Sequence, residues 1–231
     1  MGNLCIIPAR GGSKRIPKKN IKDFLGKPII AYSIEAALKS KLFDEVMVST
    51  DDVEIAEIAK DYGAIIPFFR SKKNSDDFAT TYDVIEEVIN QYKKKEIEFE
   101  NICCIYPCSP LIKVEKLVES FYILKGGKYD SVIPIVTFGY PIQRAFKITN
   151  GKVSYFYPEF RNKRSQDLEK SYHDAGQFYF VKTEELLKQK TLITKKTTYI
   201  ELKETEVQDI DNLIDWQLAE IKYKLGKRHY E

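Results

Sequence analysis

Residues 5–20 read Cys5-Ile-Ile-Pro-Ala-Arg-Gly-Gly-Ser-Lys-Arg-Ile-Pro-Lys-Lys-Asn20. A short apolar strand at residues 4–7 runs directly into a glycine-containing loop crowded with cations. Arg10, Lys14, Arg15, Lys18 and Lys19 repel one another unless something anionic sits among them. Gly11 and Gly12 let the backbone come close to a ligand and turn its N–H groups inward. A polyphosphate suits such a loop, and α/β sheets bind ligands at the carboxyl ends of their strands. The stretch is neither Gly-x-x-x-x-Gly-Lys-Ser/Thr nor Gly-x-Gly-x-x-Gly, so it is not one of the two common nucleotide loops. On charge pattern alone, a solvated basic loop is the competing reading.

Outward from this loop, strand and helix patterns alternate over the first 136 residues. A helix starting near Pro28 places Ile30, Ile34, Ala37 and Leu38 on one face. A strand at 45–50 follows, and then Asp51 or Asp52 caps a helix ending at Gly63. A short strand at 64–66 leads into a polar loop, 68–79. Thr80 or Thr81 caps the next helix, which buries Val84, Ile85, Val88, Ile89 and Tyr92. A strand at 102–106 breaks at Pro107-Cys-Ser-Pro110, before a helix carrying Val114, Leu117, Val118 and Phe121. Alternation of this kind predicts an α/β fold with a mostly parallel sheet and helices on both faces.

Beyond residue 136 the pattern changes. Segments 146–149 and 152–156 flank Asn150-Gly151, the strongest short hairpin signal. A polar, aromatic-rich stretch, 157–173, has no helical periodicity and fits an interface or a substrate-facing lobe. A strand at 177–181, a short helix, a strand at 197–202 and a last helix at 212–223 complete the pattern. The expected organisation is one domain, 1–231, with 138–172 as an inserted hairpin lobe. A chain of 231 residues can bury a full core.

The charge balance is 37 Lys+Arg against 34 Asp+Glu, a net +3. A domain-wide excess of base is absent, which argues against nucleic acid as the main partner. The positive charge is local instead: seven Lys/Arg and one acid, Asp23, fall within residues 10–27. No apolar run approaches the ~20 residues of a membrane span, and no basic segment followed by a long apolar core opens the chain. Cys5, Cys103, Cys104 and Cys108 lack zinc spacing, and they read as reduced core thiols of a cytoplasmic protein.

The second chemical signal is Asp209-Ile210-Asp211. In an extended segment both carboxylates point the same way and can meet one cation, while Ile210 anchors in the core. Mg²⁺ takes one or two carboxylates together with phosphate oxygens and water. Alternatively, Asp211 caps the last helix and Asp209 is merely exposed. For Asp51-Asp52 helix capping suffices, and the lysines at 93–95 read as a solvated helix end. The aromatics Tyr155, Phe156, Tyr157, Phe160, Phe178, Tyr179 and Phe180 fit core or interface positions better than a base-stacking platform.

The stretch from Ile7 to Asn20 resembles the signature loop of the CMP-sialic acid synthetase family of cytidylyltransferases. The resemblance continues through Val48-Ser-Thr-Asp51, Asp77-Phe-Ala-Thr-Thr81, Pro107-Cys-Ser-Pro110 and the late Asp-Ile-Asp. Two further stretches look like the family's pseudaminic acid branch: Pro141-Ile-Gln-Arg-Ala-Phe146, and Ser165-Gln-Asp-Leu-Glu followed by Tyr172-His-Asp-Ala-Gly-Gln-Phe-Tyr179. The resemblance implies a Rossmann-like nucleotidyltransferase fold with a small protruding dimerisation lobe. It also implies an Mg²⁺-dependent homodimer that joins CTP to a nine-carbon acidic sugar and releases pyrophosphate. By the same resemblance Arg10, Ser13, Lys14, Lys19 and Asn20, with Gly11 and Gly12, hold the triphosphate and cytosine. Arg70, Ala79 and Thr81 complete the nucleotide pocket, and Asp209 and Asp211 bind the metal. Arg10 and Lys19 are the catalytic candidates, Lys19 stabilising charge at the α-phosphate. Tyr106, Gln143, Arg144, His173, Gln177 and Tyr179 are the sugar-side candidates. Where the sialic acid enzymes read Gln-Pro-Thr-Ser-Pro-Leu-Arg, this chain has Tyr106-Pro-Cys-Ser-Pro-Leu-Ile112, and His173 stands where an arginine is expected.

Overall fold

A computed structural model describes residues 2–228. Strand β1 (Gly2–Pro8) leads through the basic loop and a 3-10 turn to the small hairpin β2 (Asp23–Phe24) and β3 (Lys27–Pro28), then helix α1 (Ile29–Ser40). Next come β4 (Glu45–Ser49), α2 (Val53–Asp61), α3 (Thr81–Lys93), β5 (Phe99–Ile105), α4 (Val114–Lys125) and β6 (Ser131–Thr137). The hairpin β7 (Phe146–Thr149) and β8 (Lys152–Tyr155) follows, and then β9 (Tyr172–Asp174), β10 (Phe178–Lys182), α5 (Thr183–Gln189), β11 (Thr197–Glu201) and α6 (Leu213–Arg228).

The seven-stranded sheet runs β11-β6-β10-β5-β1-β4, with β9 also on β6. The β4–β1–β5 and β6–β11 pairings are parallel, and β10 lies antiparallel between β5 and β6. Successive residues of a strand point to opposite faces, and the two cores divide accordingly. Cys5, Ile7, Cys103, Ile105 and Phe180 pack with α1, α2 and α4 through Ile34, Ile55 and Leu117. Leu4, Ile6, Ile102, Cys104 and Val181 pack with α3 and α5 through Ile85, Ile89 and Leu186. Cys103 and Cys104 thus face opposite cores, as expected. The helix caps resolve both earlier alternatives. Asp52 caps α2, accepting from the Glu54 and Ile55 N–H groups, and Thr80 caps α3 in a reciprocal box with Asp83.

Three of the boundaries that differ from the sequence reading have a physical reason. The strand expected at 64–66 is a single parallel bridge, Met47 to Ile65, because Gly63, at φ +92°, turns the chain too sharply for longer pairing. Strand β5 begins three residues early, where the less buried Phe99–Asn101 segment pairs with Gly2 and Asn3 outside the apolar run. Helix α6 runs past Tyr223 to Arg228, beyond its buried face, where lysines solvate it. The hairpin of the lobe, β7–β8, forms as Asn150-Gly151 implies, both residues having positive φ.

A third apolar cluster matters most for the site. Ile16 of the basic loop, Phe24, Ile29, Tyr32, Ile210, Trp216 and Ala219 are buried together. Phe24 is fully enclosed, with the rings of Tyr32, Trp216 and Tyr223 set edge-on at 5.3, 5.5 and 5.9 Å. Tyr32 Oη donates to the Phe24 carbonyl at 2.6 Å. Removing such a ring leaves a cavity that its neighbours fill only in part. Phe24→Ala is therefore expected to cost about 3–5 kcal/mol of unfolding free energy, read by urea denaturation followed through Trp216 emission. A loss below about 1 kcal/mol, the size of an ordinary point mutation, would show that this cluster does not anchor α6.

Candidate active site

The carboxyl ends of β1 and β5 open on a cleft of about 500 Å³. Its walls bring together Arg10, Ser13, Lys14, Arg15, Lys19 and Asn20 of the basic loop, Asp77, Tyr106 and Cys108, Gly176, and Asp209 with Asp211. The two chemical signals of the sequence, about 190 residues apart, therefore meet in one place.

The loop is held from several sides. Asn20 is buried; its Nδ2 donates to the Arg10 carbonyl at 2.9 Å and its Oδ1 accepts from Cys108 Sγ at 3.3 Å. Burial pushes the Cys108 thiol up to about 12, so it stays a protonated donor. Lys19 Nζ donates to the Ile210 carbonyl at 2.8 Å, between the two aspartates. Arg15 pairs with Asp211 at 2.8 Å. Arg10 pairs with Asp77 at 2.8 Å and Lys14 with the same carboxylate. These two cations hold Asp77 below the usual carboxylate range, so it is ionised at neutral pH.

Gly11 acts differently from the sequence reading. The Gly11 N–H does not face the cleft as a free donor, because it donates to Asp51 Oδ1 at 3.0 Å. The Ser13 N–H is likewise taken by the Gly11 carbonyl at 2.9 Å. Asp51 therefore pins the loop while Asp52 caps α2, a division of labour that capping alone did not reveal.

Helix α6 settles the alternative role of Asp211. Asn212 is the cap, its Oδ1 accepting from the Ile214 and Asp215 N–H groups at 2.8 and 3.1 Å. Asp215 Oδ2 returns the favour to the Asp211 and Asn212 N–H groups at 2.9 and 3.0 Å. The carboxylates of Asp209 and Asp211 are spared from capping and line the cleft.

The remaining candidates are more dispersed. Arg70 is buried, and its guanidinium bonds Ser49 Oγ at 3.1 Å and the Ser49 carbonyl, so it braces the end of β4. Burial lowers it to about 10. Ala79 N–H is taken by Asp76 Oδ1 at 2.8 Å, and Thr81 Oγ1 meets Tyr106 Oη at 3.2 Å. Of the sugar-side set only Tyr106 lines this cleft. Tyr179 packs edge-on against it at 5.5 Å and donates to Asp174 Oδ2 at 2.7 Å. Gln177 is buried and donates to the Glu206 carbonyl. Gln143 donates to the Glu169 carbonyl at 2.9 Å and Arg144 to that of Lys163, so both fasten the lobe to itself. His173 lies within β9, exposed, with its ring 4.8 Å from that of Phe138. Sequence reasoning assigned no role to Asp77, although it opens the quoted stretch 77–81, and it gave Asp51 only helix capping and Cys108 only a core position.

A side chain at Gly11 would bring its Cβ to 2.6 Å from Asp52 Oδ2, whereas one at Gly12 meets nothing within 4 Å. Gly11→Ala should thus disturb the α2 cap and lower stability by about 1 kcal/mol, while Gly12→Ala leaves it unchanged. Chemical denaturation of both variants checks this, and equal losses would contradict the steric assignment.

The comparisons with known proteins agree with this geometry. The cytidylyltransferase family profile matches residues 4–222. Pseudaminic acid cytidylyltransferase of Campylobacter jejuni is 44% identical over 227 residues, covering 98% of each chain. CMP-N,N'-diacetyllegionaminic acid synthase of Legionella pneumophila is 34% identical, covering 97% of each. A solved CMP:2-keto-3-deoxy-manno-octonic acid synthetase complexed with CTP matches at TM-score 0.71 and 16% identity, over 99% of this chain and 100% of its own, which shows a shared fold. Because the family match takes in every segment that lines the cleft, this chain belongs to the cytidylyltransferase family and is a nucleotidyltransferase.

Proposed function

We propose that the protein transfers CMP from CTP to the anomeric hydroxyl of pseudaminic acid, forming CMP-pseudaminic acid and pyrophosphate. The observation that carries this reading is the meeting of Arg10, Lys14 and Lys19 with Asp209 and Asp211 in one cleft. The likeness to the Campylobacter enzyme supports the choice of sugar. In the reaction the anomeric oxygen forms a bond to the α-phosphorus, pyrophosphate leaves with the electron pair of the broken P–O bond, and the hydroxyl proton is released. Such transfer asks the protein mainly for positioning and charge stabilisation.

The residues divide that work. Arg10 and Lys14 neutralise the triphosphate, with Ser13 beside them. Asn20, its amide fixed between Cys108 and Arg10, presents one orientation to the nucleotide. Lys19, anchored on Ile210, is aimed at charge developing on the α-phosphate. Asp209 and Asp211 suit Mg²⁺: both line the cleft, neither caps α6, and the exposed Arg15 pair on Asp211 is weak enough to yield to a metal that also takes phosphate oxygens and water. When bound, Mg²⁺ would add Lewis-acid polarisation of the phosphate. Tyr106, on the cleft wall, is the side chain through which the sugar side would be read; Tyr179 packs against it, while Gln177, His173, Gln143 and Arg144 lie outside the cleft wall.

The lobe supports a homodimer. Phe146, Ile148, Val153 and Phe156 are exposed on or beside a two-stranded hairpin that pairs with nothing else, Ile148 to 76%. Such a patch on so thin an element gains stability by covering another surface. No helix among the described residues is long and apolar enough to cross a membrane.

Asp209→Asn or Asp211→Asn should lower turnover about a hundredfold with little change in folding stability, since metal stabilisation of the transition state contributes several kcal/mol. Wild-type rates at saturating Mg²⁺ in both variants would remove the metal role. Pyrophosphate release from CTP against a panel of nine-carbon acidic sugars tests the acceptor. A site that hydrogen-bonds particular substrate groups strongly rejects analogues lacking them. Pseudaminic acid should accordingly exceed N-acetylneuraminic acid by orders of magnitude in kcat/KM, and equal turnover would overturn the sugar assignment alone.

A further inference from the structure

The cleft already contains an anion at the place its cations point to. One Asp77 oxygen pairs with Arg10 Nη1 at 2.8 Å and the other with Lys14 Nζ. Arg10 Nη1 also donates to the Asp76 carbonyl at 2.8 Å. All three side chains line the cleft wall. A single carboxylate thus straddles the two cations assigned to the triphosphate.

Asp77 is not what shapes its own loop. The turn is built by Asp76, whose Oδ1 accepts from the Phe78 and Ala79 N–H groups at 2.9 and 2.8 Å. Asp83 and Thr80 close the following helix start, and Glu87 holds Ser71 and Asn74 before it. The Asp77 carboxylate is spent entirely on cations 63 to 67 residues away. It is also 44% exposed, so its ion pairs are weak, screened by salt and readily exchanged. A triphosphate brings several negative oxygens to the same cations and makes the stronger charge-assisted bonds.

We propose that Asp77 is an internal counter-anion of the nucleotide site: it holds Arg10 and Lys14 in place in the empty enzyme and is displaced by the triphosphate of CTP, thereby setting nucleotide affinity. The inference rests on the CTP reading above and extends it to a positioning residue that touches no reacting atom. Its two effects oppose each other. Holding the cations aimed into the cleft limits their ordering cost on binding, but every binding event must first break the internal pairs. Competition is the larger effect, because Arg10 keeps its second contact on the Asp76 carbonyl and Asn20 fixes the backbone beneath it.

The consequence runs against the usual rule that trimming a binding site weakens it. With the full chain and sodium tripolyphosphate as probe in titration calorimetry, Asp77→Asn should bind about three- to tenfold more tightly than wild type at low salt, the size expected for losing two exposed pairs. The gain should shrink as salt rises. In steady-state kinetics KM for CTP should fall by a similar factor while KM for the sugar stays constant, a split that general destabilisation would not give. In the background of Arg10→Ala with Lys14→Ala, adding Asp77→Asn should change tripolyphosphate binding no further. Asp77→Ala provides a second variant with the same expected direction, and thermal denaturation verifies that each is folded. Equal or weaker tripolyphosphate binding in folded Asp77→Asn and Asp77→Ala would overturn the proposal and leave Asp77 a support for Arg10. A tightened tripolyphosphate site in a protein that releases no pyrophosphate from CTP and sugar would instead strike down the catalytic reading alone.

Discussion

The site depends on the burial of Ile16 and Ile210 in one apolar cluster. Each is the single apolar residue in a charged stretch: Ile16 sits among Lys14, Arg15 and Lys18, and Ile210 lies between Asp209 and Asp211. Burying a large aliphatic side chain stabilises by about 1.5–3 kcal/mol, more than an exposed ion pair contributes. The apolar contacts therefore decide where these segments lie, and the charges follow. Phe24, Trp216 and Ala219 complete the cluster, so the small β2–β3 hairpin and helix α6 serve as its walls. Lys19 reaching the Ile210 carbonyl is the geometric consequence.

Concentrating five cations in one loop raises an electrostatic problem that the fold solves internally. Sequence reading asks for a ligand anion to relieve the repulsion. The structure supplies acids from elsewhere in the chain: Asp77 for Arg10 and Lys14, Asp211 for Arg15, and Glu54 for Lys18. Because these pairs are largely exposed, they keep the loop ordered without holding it so tightly that a stronger anion cannot replace them. Arg70 stands in contrast: its guanidinium is buried and bonded to Ser49, out of reach of such exchange.

Much of this was legible in the sequence, for reasons that can be named. The alternation of strands and helices, the loop after β1 and the Asp-Ile-Asp face are local patterns, set by periodicity within a few residues. The hairpin at Asn150-Gly151 is equally local, since its turn needs two residues at positive φ. What could not be read were partnerships across the chain. Gly11 looked like a phosphate donor because nothing local shows that Asp51 claims its N–H. Cys108 looked like a core thiol because its acceptor, Asn20, lies 88 residues away. Asp77 sits in a quoted stretch yet gains meaning only when folding brings it to Arg10.

The two halves of the site differ in how they are built, and that difference has a physical basis. The proposed nucleotide side comes mainly from one contiguous loop at the carboxyl end of the central parallel strands, braced by two cores and by the Ile16–Ile210 cluster. Charge stabilisation of a transferring phosphate tolerates little displacement, and a rigid sheet end meets that demand. The residues proposed for the sugar side instead spread from Tyr106 through the antiparallel β9–β10 segment into the lobe, where Gln143 and Arg144 bond lobe carbonyls. The lobe hairpin lies outside the main sheet. Substitutions there can reshape acceptor recognition while Lys19, Asp209 and Asp211 keep their relative positions. An arrangement of this kind allows relatives to share the chemistry while the sugar they accept differs.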